Sequence, residues 1–341
     1  MAESKRPTPP APLPEGRGEK RLAALDGEEK RSSDVERSET SSSGSPLHEG
    51  RGVRGVGHAT PETSPILSSL SLFRASDGYP FYLRHFAPPG APKARLVVLH
   101  GIRSHGGWYK RSCRALADAG YDVHFLDRRG AGLNTAHRGD APEFRRLLDD
   151  VAEYLMHLRE RAAFLPVFVC GISLGGKLAV GLPYRKPHLI DGLVLLCPGL
   201  VPKIAPPLPR RARIALARVL RPWRTFPIPL NEQELFTANA EARAFIDADP
   251  FAVREATARF LFSSFSLDLY LKRAAKRVTV PSFLALAEHD RIIDNARTAA
   301  FVNRFPGGAQ AVTYPGAHHT LEFEADHRWL ADVRAWLDAR L

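Results

Sequence analysis

The segment Gly171-Ile172-Ser173-Leu174-Gly175 lies between an apolar run, Leu165–Cys170, and a helix-like run from Gly176 to Leu182. This order of strand, Gly-x-Ser-x-Gly and helix predicts a sharp turn that holds the serine in a strained backbone conformation. The glycines leave room where a Cβ would collide with neighbouring elements. The serine hydroxyl then projects above the sheet, at a helix N-terminus whose N–H groups favour negative charge. The segment therefore predicts a nucleophile elbow centred on Ser173.

Strands and helices alternate on both sides of this turn. The predicted strands are two short ones within 70–88, buried apolar runs at 95–100, 121–126, 167–170 and 192–197, and later runs at 281–287 and 310–314. The predicted helices cover 108–119, 142–162, a segment near 295–305 and a closing segment near 326–340. Such alternation predicts an α/β fold with a doubly wound, mostly parallel sheet.

Composition divides the chain into three parts. Residues 1–64 contain no Phe, Trp or Tyr and no periodic apolar pattern, so we expect a disordered N-terminal tail. Residues 65–197 and 277–341 are expected to form the core. Residues 198–276 hold many prolines and several short helical stretches but no buried strand, which predicts an inserted helical cap. Ligands bind beyond the carboxyl ends of the strands in such sheets, so the cap is expected to cover the site.

The net charge of +11 comes from the folded part, because the tail holds 10 basic and 11 acidic residues. No zinc spacing, recognition helix or RNA-binding aromatic motif accompanies this charge, so no nucleic-acid partner is expected. Cys113, Cys170 and Cys197 are far apart, which favours reduced, buried thiols over disulfides or a metal site. The N-terminus lacks the apolar core of a signal peptide, and no apolar run reaches about 18 residues. We therefore expect a cytoplasmic protein.

A serine nucleophile needs a histidine to take its proton and a carboxylate to orient that histidine. In this type of fold the acid follows the serine in the chain, and the histidine follows the acid. Glu288-His289-Asp290 comes directly after one predicted strand, and His318-His319 follows the next. Two backbone N–H groups are needed for an oxyanion, and the expected donors are Leu174 and, after Gly101, Ile102.

Together these segments resemble the α/β-hydrolase fold family, and more narrowly its serine aminopeptidase S33 and monoacylglycerol lipase or lysophospholipase-like branch. The resemblance spans about residues 68–340 and rests on segments 99–109, 127–130, 171–176, 288–294 and 316–321. It departs from the family at Ser104, where the oxyanion loop often carries an acidic residue.

The resemblance assigns the roles that the spacing leaves open. The family pattern Gly-Ala-x-His-x-Leu implies that His319 is the base and His318 a rim residue, and the pattern around Asp290 implies that it is the acid. Asp294 is then expected to be a helix N-cap. Structural roles are expected for His100, His105 and Asp127, and His289 is expected to be solvated.

The family implies a serine hydrolase that cleaves carboxylic esters through an acyl-enzyme, without metal or cofactor. Between residues 203 and 224 the predicted cap carries seven basic and no acidic residues, interspersed with apolar ones. Such a stretch suits an anionic membrane surface or an anionic head group, and therefore a monoacylglycerol- or lysophospholipid-like substrate. It also suits a solvated arginine-rich face.

Two further functions remain open at this point. An aminopeptidase or amidase of the same fold needs carboxylates for a substrate ammonium, and the cap offers Glu232, Glu234, Asp247 and Asp249. A catalytically silent binding protein at a membrane surface is the second alternative.

Overall fold

The computed structural model describes residues 68–341, so the predicted disordered tail over 1–64 lies outside the described residues. The main sheet has eight strands: β1 (Ser68–Arg74), β2 (Pro80–Phe86), β3 (Ala94–Leu99), β4 (Tyr121–Leu126), β5 (Val167–Ile172), β6 (Gly192–Leu196), β9 (Ser282–Ala287) and β10 (Ala309–Tyr314). Their spatial order is β1-β2-β4-β3-β5-β6-β9-β10. Strand β2 pairs antiparallel with β1 and β4, and all other pairs are parallel. The predicted mostly parallel sheet is confirmed.

Helices flank this sheet. They are α1 (Lys110–Asp118), α2 (Phe144–Arg161), α3 (Leu174–Arg185), α4 (Leu208–Leu220), α5 (Ala240–Ala248), α6 (Ala258–Ala274), α7 (Asn295–Val302) and α8 (Arg328–Asp338). Every residue of β3, β5, β6 and β9 is buried, as expected for central parallel strands covered on both faces. Among the helices of residues 68–341, none combines the length and the hydropathy that a bilayer-spanning segment requires.

Residues 198–276, called the insertion below, lie between β6 and β9, which are neighbours in the sheet. The insertion contains α4, α5 and α6, and α6 packs against α3 and α4. It also contains a two-stranded antiparallel ribbon, Thr225–Pro227 with Glu255–Thr257, which we number β7 and β8. Sequence analysis did not predict this ribbon, because strands of three residues are too short to show an alternating pattern.

The turn between β5 and α3 depends on close backbone packing. Ser173 has φ 50° and ψ −114°, in the left-handed region that ordinary side chains rarely adopt. A Cβ on Gly175 would overlap the carbonyl oxygen of Leu99, and one on Gly171 would lie 2.6 Å from the Cα of Gly176. Glycine at 175 therefore lets the start of α3 approach the end of β3, and glycine at 171 lets the end of β5 approach the first turn of α3.

We expect Gly175→Ala to destabilise the fold, because its new methyl group meets backbone rather than a movable side chain. Overpacking of this kind typically costs about 1–3 kcal/mol, and the rigid neighbour puts this variant at or above the upper end. Urea denaturation of both proteins measures the difference. Gly90→Ala is the control, because nothing lies within 4 Å of its added Cβ. Equal free energies of unfolding for the two variants would contradict the packing account.

Candidate active site

The predicted acid and base lie side by side at the carboxyl ends of β9 and β10. The Nδ1 atom of His319 is 2.7 Å from Oδ2 of Asp290, and both side chains are almost completely buried. The other carboxylate oxygen, Oδ1, accepts the N–H groups of Ile292 at 2.8 Å and Ile293 at 2.9 Å. These donors hold the carboxylate so that its second oxygen faces the imidazole.

The electrostatics keep Asp290 ionised. Burial alone would raise the pKa of this carboxyl, but attraction to His319, its hydrogen bond and the two backbone donors together hold the pKa below its usual range. A carboxylate at Nδ1 implies that this nitrogen carries the proton, which leaves Nε2 as the acceptor. The Nε2 atom is buried and has no hydrogen-bond partner among the described residues. His319 therefore offers a free basic nitrogen.

Ser173 directly follows β5, which is separated from β9 in the sheet by β6. Its N–H donates to the carbonyl of Leu196 at 3.1 Å, and its carbonyl accepts the N–H of Gly199 at 2.8 Å. These bonds tie the turn to the end of β6. His319 and Ile172, the residue before Ser173, line the same small cavity. The three predicted residues are thus gathered at one edge of the sheet, and Ser173 is only partly buried.

The loop after β3, residues 100–109, carries the expected oxyanion donor and is called the oxyanion loop below. His100 holds it in place. Its Nδ1 lies 2.8 Å from the carbonyl oxygen of Gly101, and its Nε2 accepts the N–H of Arg128 at 2.8 Å. Since Nε2 is an acceptor, Nδ1 carries the proton and donates. Burial, helped by the Arg128 charge, lowers the pKa of His100 to about 3, so the ring is neutral at physiological pH.

This hydrogen bond orients the peptide that carries the expected oxyanion donor. The carbonyl of Gly101 and the N–H of Ile102 belong to one trans peptide and point in opposite directions. Fixing the carbonyl on His100 therefore fixes the direction of the N–H. The loop lies against the candidate nucleophile, because a Cβ on Gly101 would lie 3.3 Å from the Cβ of Ser173.

Ser104 takes part in the same loop although it replaces the acid common in the family. Its Oγ accepts the N–H of Gly101 at 3.1 Å and lies 3.4 Å from the hydroxyl of Tyr109. A neutral hydroxyl is therefore sufficient to anchor this side of the loop.

The insertion is tied to the oxyanion loop through Asp249. Oδ2 of this buried carboxylate lies 3.0 Å from Nε2 of His105 and accepts the indole N–H of Trp108 at 2.6 Å. Nδ1 of His105 accepts the N–H of Gly107 at 3.0 Å, so Nε2 is the protonated nitrogen that faces Asp249. Burial opposes ionisation of Asp249, but these donors and the N–H of Phe251 lower its pKa overall.

The other residues that the sequence analysis considered lie outside the pair formed by Asp290 and His319. His318 is mostly buried, 3.5 Å from Glu324, whereas His289 is more than half exposed. Asp294 caps α7 by accepting the N–H of Arg297. Asp127 is fully buried and accepts N–H groups from the two loops that flank it.

Within residues 68–341, two groups of side chains each bring three possible metal ligands together. The first, His85, Asp122 and His124, lies on β2 and β4, and the guanidinium of Arg95 is already 3.5 Å from Asp122. The second is Cys197 with Asp290 and His319. Burial, reinforced by the Asp290 charge, raises the pKa of the Cys197 thiol well above its usual range. We therefore interpret the first as an ion-pair network and the second as a protonated thiol beside the candidate acid.

Sequence reasoning missed several residues around the site. Cys197 has φ 40° at the end of β6, and Phe236 of the insertion places its ring 6.3 Å from that of His319. The carbonyl of Phe236 also accepts the N–H of Thr320. Arg103 is 1 % exposed although it lies in a predicted loop. No periodic pattern marks these positions, because each is defined by contacts between distant segments.

The loop that carries His319 is anchored by Glu322. Its Oε1 accepts the N–H of Ser112 at the start of α1, 3.2 Å away. Burial raises the pKa of this carboxyl from 4.5 to about 7, although the hydrogen bonds from Ser112 act in the opposite direction.

Comparison with known proteins gives a consistent result. The family described as serine aminopeptidase, S33 matches residues 90–326. The chain is 27 % identical to human monoglyceride lipase over 289 residues, which cover 82 % of this chain and 94 % of the relative. It is 24 % identical to the monoacylglycerol lipase of Mycolicibacterium smegmatis over 262 residues, which cover 75 % and 92 %.

Solved structures resemble the fold at lower identity. A soluble variant of the monoglyceride lipase from Saccharomyces cerevisiae, in complex with a substrate analogue, superposes with a TM-score of 0.70 at 20 % identity and covers 84 % of this chain and 99 % of its own. The monoacylglycerol lipase of Paleococcus ferrophilus has a TM-score of 0.69 at 20 % identity and covers 76 % and 99 %. At this identity the likeness extends to the fold alone.

We expect Glu322 to make stability depend on pH. The folded state binds its proton more tightly than the unfolded state, so the free energy of unfolding falls as the pH rises from 4.5 through about 7. The full effect amounts to about 3 kcal/mol. Urea denaturation between about pH 5 and pH 8 should show a shallower fall for Glu322→Gln than for the wild type. Glu160→Gln, an exposed position on α2, is the control. Parallel curves for the wild type and Glu322→Gln would contradict this role.

Proposed function

The chain belongs to the serine aminopeptidase S33 family of α/β hydrolases, and from this premise we propose that it hydrolyses carboxylic esters with Ser173 as nucleophile, His319 as base and Asp290 as acid. The observation that carries the proposal is the pairing of His319 with a buried Asp290 through Nδ1, which leaves Nε2 without a partner. A triad base needs this arrangement.

The reaction follows from these positions. Nε2 of His319 takes the proton of the Ser173 hydroxyl as Oγ attacks the ester carbonyl. The N–H groups of Ile102 and Leu174 bind the oxyanion of the tetrahedral intermediate. His319 returns its proton to the leaving alcohol as the acyl-enzyme forms. Water then attacks the acyl group while His319 takes one of its protons. His319 returns this proton to Oγ of Ser173, and the carboxylic acid product leaves.

His100 and Asp290 act as positioning residues in this proposal. Asp290 keeps the proton on Nδ1 of His319 and stabilises the imidazolium that forms in each step. His100 directs the Ile102 peptide before the substrate arrives. A donor that is already oriented stabilises the developing charge without a cost of reorganisation.

We propose that the substrate is a lipid-like ester such as a monoacylglycerol or a lysophospholipid. Curated relatives named monoglyceride lipase and monoacylglycerol lipase support this class. The insertion supports it as well, because we propose that it serves as a cap: its Phe236 places an aromatic ring beside His319, and the ring of Trp108 lies 6.1 Å from the Phe236 ring. Apolar walls at this place suit an acyl chain.

An aminopeptidase receives less support from the carboxylates of the insertion. Asp249 is taken up by His105 and Trp108, Asp247 accepts the amide of Gln233, and Glu234 pairs with Arg243. Three of the four carboxylates considered for a substrate ammonium are thus already engaged. A catalytically silent protein is disfavoured because the chain keeps all three members of the proposed triad.

We further propose that the insertion contacts an anionic lipid surface. Large apolar side chains in and directly after α4 are 61–78 % exposed: Leu208, Leu216, Val219, Leu220 and Trp223. Arginines alternate with them along residues 208–224, and this stretch of the sequence contains no Asp or Glu. A basic amphipathic helix of this kind binds at the headgroup level, through apolar burial and attraction to anionic lipids.

Ser173→Ala should abolish ester hydrolysis, with a loss of at least about 1,000-fold in kcat. The assay uses p-nitrophenyl esters of graded chain length, monoacylglycerols, lysophospholipids and aminoacyl amides. Because triad members act as a unit, Ser173→Ala combined with His319→Ala should lose no more than Ser173→Ala alone. Ser266→Ala, on the exposed part of α6, is the control. Wild-type rates in Ser173→Ala would refute the nucleophile, and cleavage of amides only would refute the ester substrate.

Val219→Glu combined with Leu220→Glu should weaken sedimentation with phosphatidylserine-rich vesicles by roughly tenfold or more, since it removes apolar contacts and adds repulsion. Hydrolysis of a short, water-soluble ester should be unchanged. Phe164→Glu, an 85 % exposed position outside the insertion, is the matched control. Equal binding of wild type and double variant, or equal binding to neutral vesicles, would contradict the membrane proposal.

A further inference from the structure

Two guanidinium groups flank the oxyanion loop without a carboxylate partner. Arg103 follows Ile102 directly in the chain, and Nη2 of Arg128 donates to the carbonyl of Ile102 at 2.6 Å. Among residues 68–341, no Asp or Glu oxygen lies within 4 Å of a nitrogen of either side chain. Buried arginines are usually paired, because an isolated charge away from water costs several kcal/mol.

Arg103 is the more exceptional of the two. It is 1 % exposed, its Nη1 donates to the carbonyl of Leu230, and its guanidinium carbon lies 5.6 Å from the centre of the Phe236 ring. Its Nε and Nη2 are buried and have no hydrogen-bond partner among the described residues. Two donor nitrogens on one side of the planar guanidinium are therefore left for a group that the described residues do not supply.

The charges around Arg103 do not complete the site. Asp247 and Asp249 are the nearest acids that act on it, and Arg254 opposes them. Asp249 already receives donors from His105 and Trp108, and Asp247 receives the amide of Gln233. Neither carboxylate pairs with Arg103, and its Nε and Nη2 stay without a hydrogen-bond partner among the described residues.

The position of Arg103 relates it to the reacting atoms. Phe236, on which the guanidinium lies, also places its ring 6.3 Å from that of His319. On the other side, Ile102 joins Arg103 to Gly101, whose Cβ position lies 3.7 Å from the Ser173 hydroxyl oxygen. Arg103 therefore directly follows the proposed oxyanion donor Ile102 in the chain. Its guanidinium and the imidazole of His319 also share the ring of Phe236 as a neighbour.

We propose that Arg103 binds an anionic group of the substrate, a carboxylate or a phosphate, so that the enzyme prefers esters bearing such a group over neutral esters of the same size. A planar guanidinium with two free donors matches the paired oxygens of these anions. Arg128 adds a second positive charge beside the loop. Its guanidinium is already bound to the Ile102 carbonyl, so we assign it a positioning role. This inference rests on the proposed ester hydrolysis and specifies its substrate class.

The test compares kcat/KM for paired substrates. On the acyl side, the p-nitrophenyl monoester of glutaric acid is compared with its neutral methyl ester. On the alcohol side, lysophosphatidic acid is compared with the monoacylglycerol of the same chain. The wild type should prefer the anion at least about tenfold in one pair, and that pair identifies which side of the ester carries the charge. A ratio at or below one in both pairs overturns the inference.

Variants separate binding from a merely structural role. Arg103→Met should lower the anion-to-neutral ratio by about tenfold or more, while kcat/KM for the neutral ester falls much less. Arg103→Lys should keep part of the ratio, because it retains the charge but not the fork. Arg114→Met, which removes an equal charge from an exposed position of α1 outside the proposed membrane surface, should leave the ratio unchanged. An equal loss for both esters in Arg103→Met would mean that Arg103 only supports the fold.

Two outcomes keep this inference distinct from the proposed function. If Arg103→Met does not fold, the wild-type ratio and the Arg103→Lys ratio decide. If neutral esters are cleaved in a Ser173-dependent way without any preference for anions, the inference fails and the ester hydrolase remains. If Ser173→Ala is fully active, the proposed function fails first.

Discussion

The contact between Gly175 and the carbonyl of Leu99 is the constraint on which the site depends. It lets the start of α3 approach the end of β3 at a distance that no side chain allows. Leu174 begins that helix, and Ile102 follows that strand, so one close approach brings the two proposed oxyanion donors to the same side of the sheet. The strained backbone of Ser173 is supported by the bonds to Leu196 and Gly199. The strained backbone of Ser173, the candidate nucleophile, is thus stabilised by packing that involves β3, β5 and β6.

Protonation states around the site follow from burial combined with local donors. His100 stays neutral because its ring is buried and accepts an N–H of Arg128. Asp290 stays ionised despite equal burial, because three donors face it. Cys197 keeps its proton, because burial and the charge of Asp290 raise the pKa of its thiol and outweigh the backbone donor at Ala287. Three similarly buried side chains at the carboxyl ends of the strands therefore differ in charge: the imidazole of His100 is neutral, the carboxyl of Asp290 is ionised and the thiol of Cys197 is protonated.

The sequence was sufficient to predict the sheet and the candidate triad. Buried strands appear as continuous apolar runs, and the residues that follow them pointed to Ser173, to the segment Glu288–Asp290 and to His318 or His319. The resemblance to the hydrolase family then selected Asp290 and His319. The ribbon β7–β8 was not predicted, because three residues show no period. Arg103 also escaped, since an arginine in a loop is ordinarily solvated and only the folded chain shows its burial beneath Leu230 and Phe236. Local pattern thus determines the elements, whereas contacts between distant segments determine the environment of the site.

The shared carboxylate of Asp249 makes the insertion and the oxyanion loop one hydrogen-bonded unit. His105 and Trp108 belong to the loop, whereas Asp249 and the carbonyl of Leu230 belong to the insertion. A chimera that receives the insertion of a relative therefore has to receive the matching loop residues as well. Without them, the buried imidazole of His105 and the indole of Trp108 would lose their acceptor, and Arg103 would lose the carbonyl of Leu230. The unit that can be exchanged between relatives is thus defined by these hydrogen bonds and not by the bounds of the insertion.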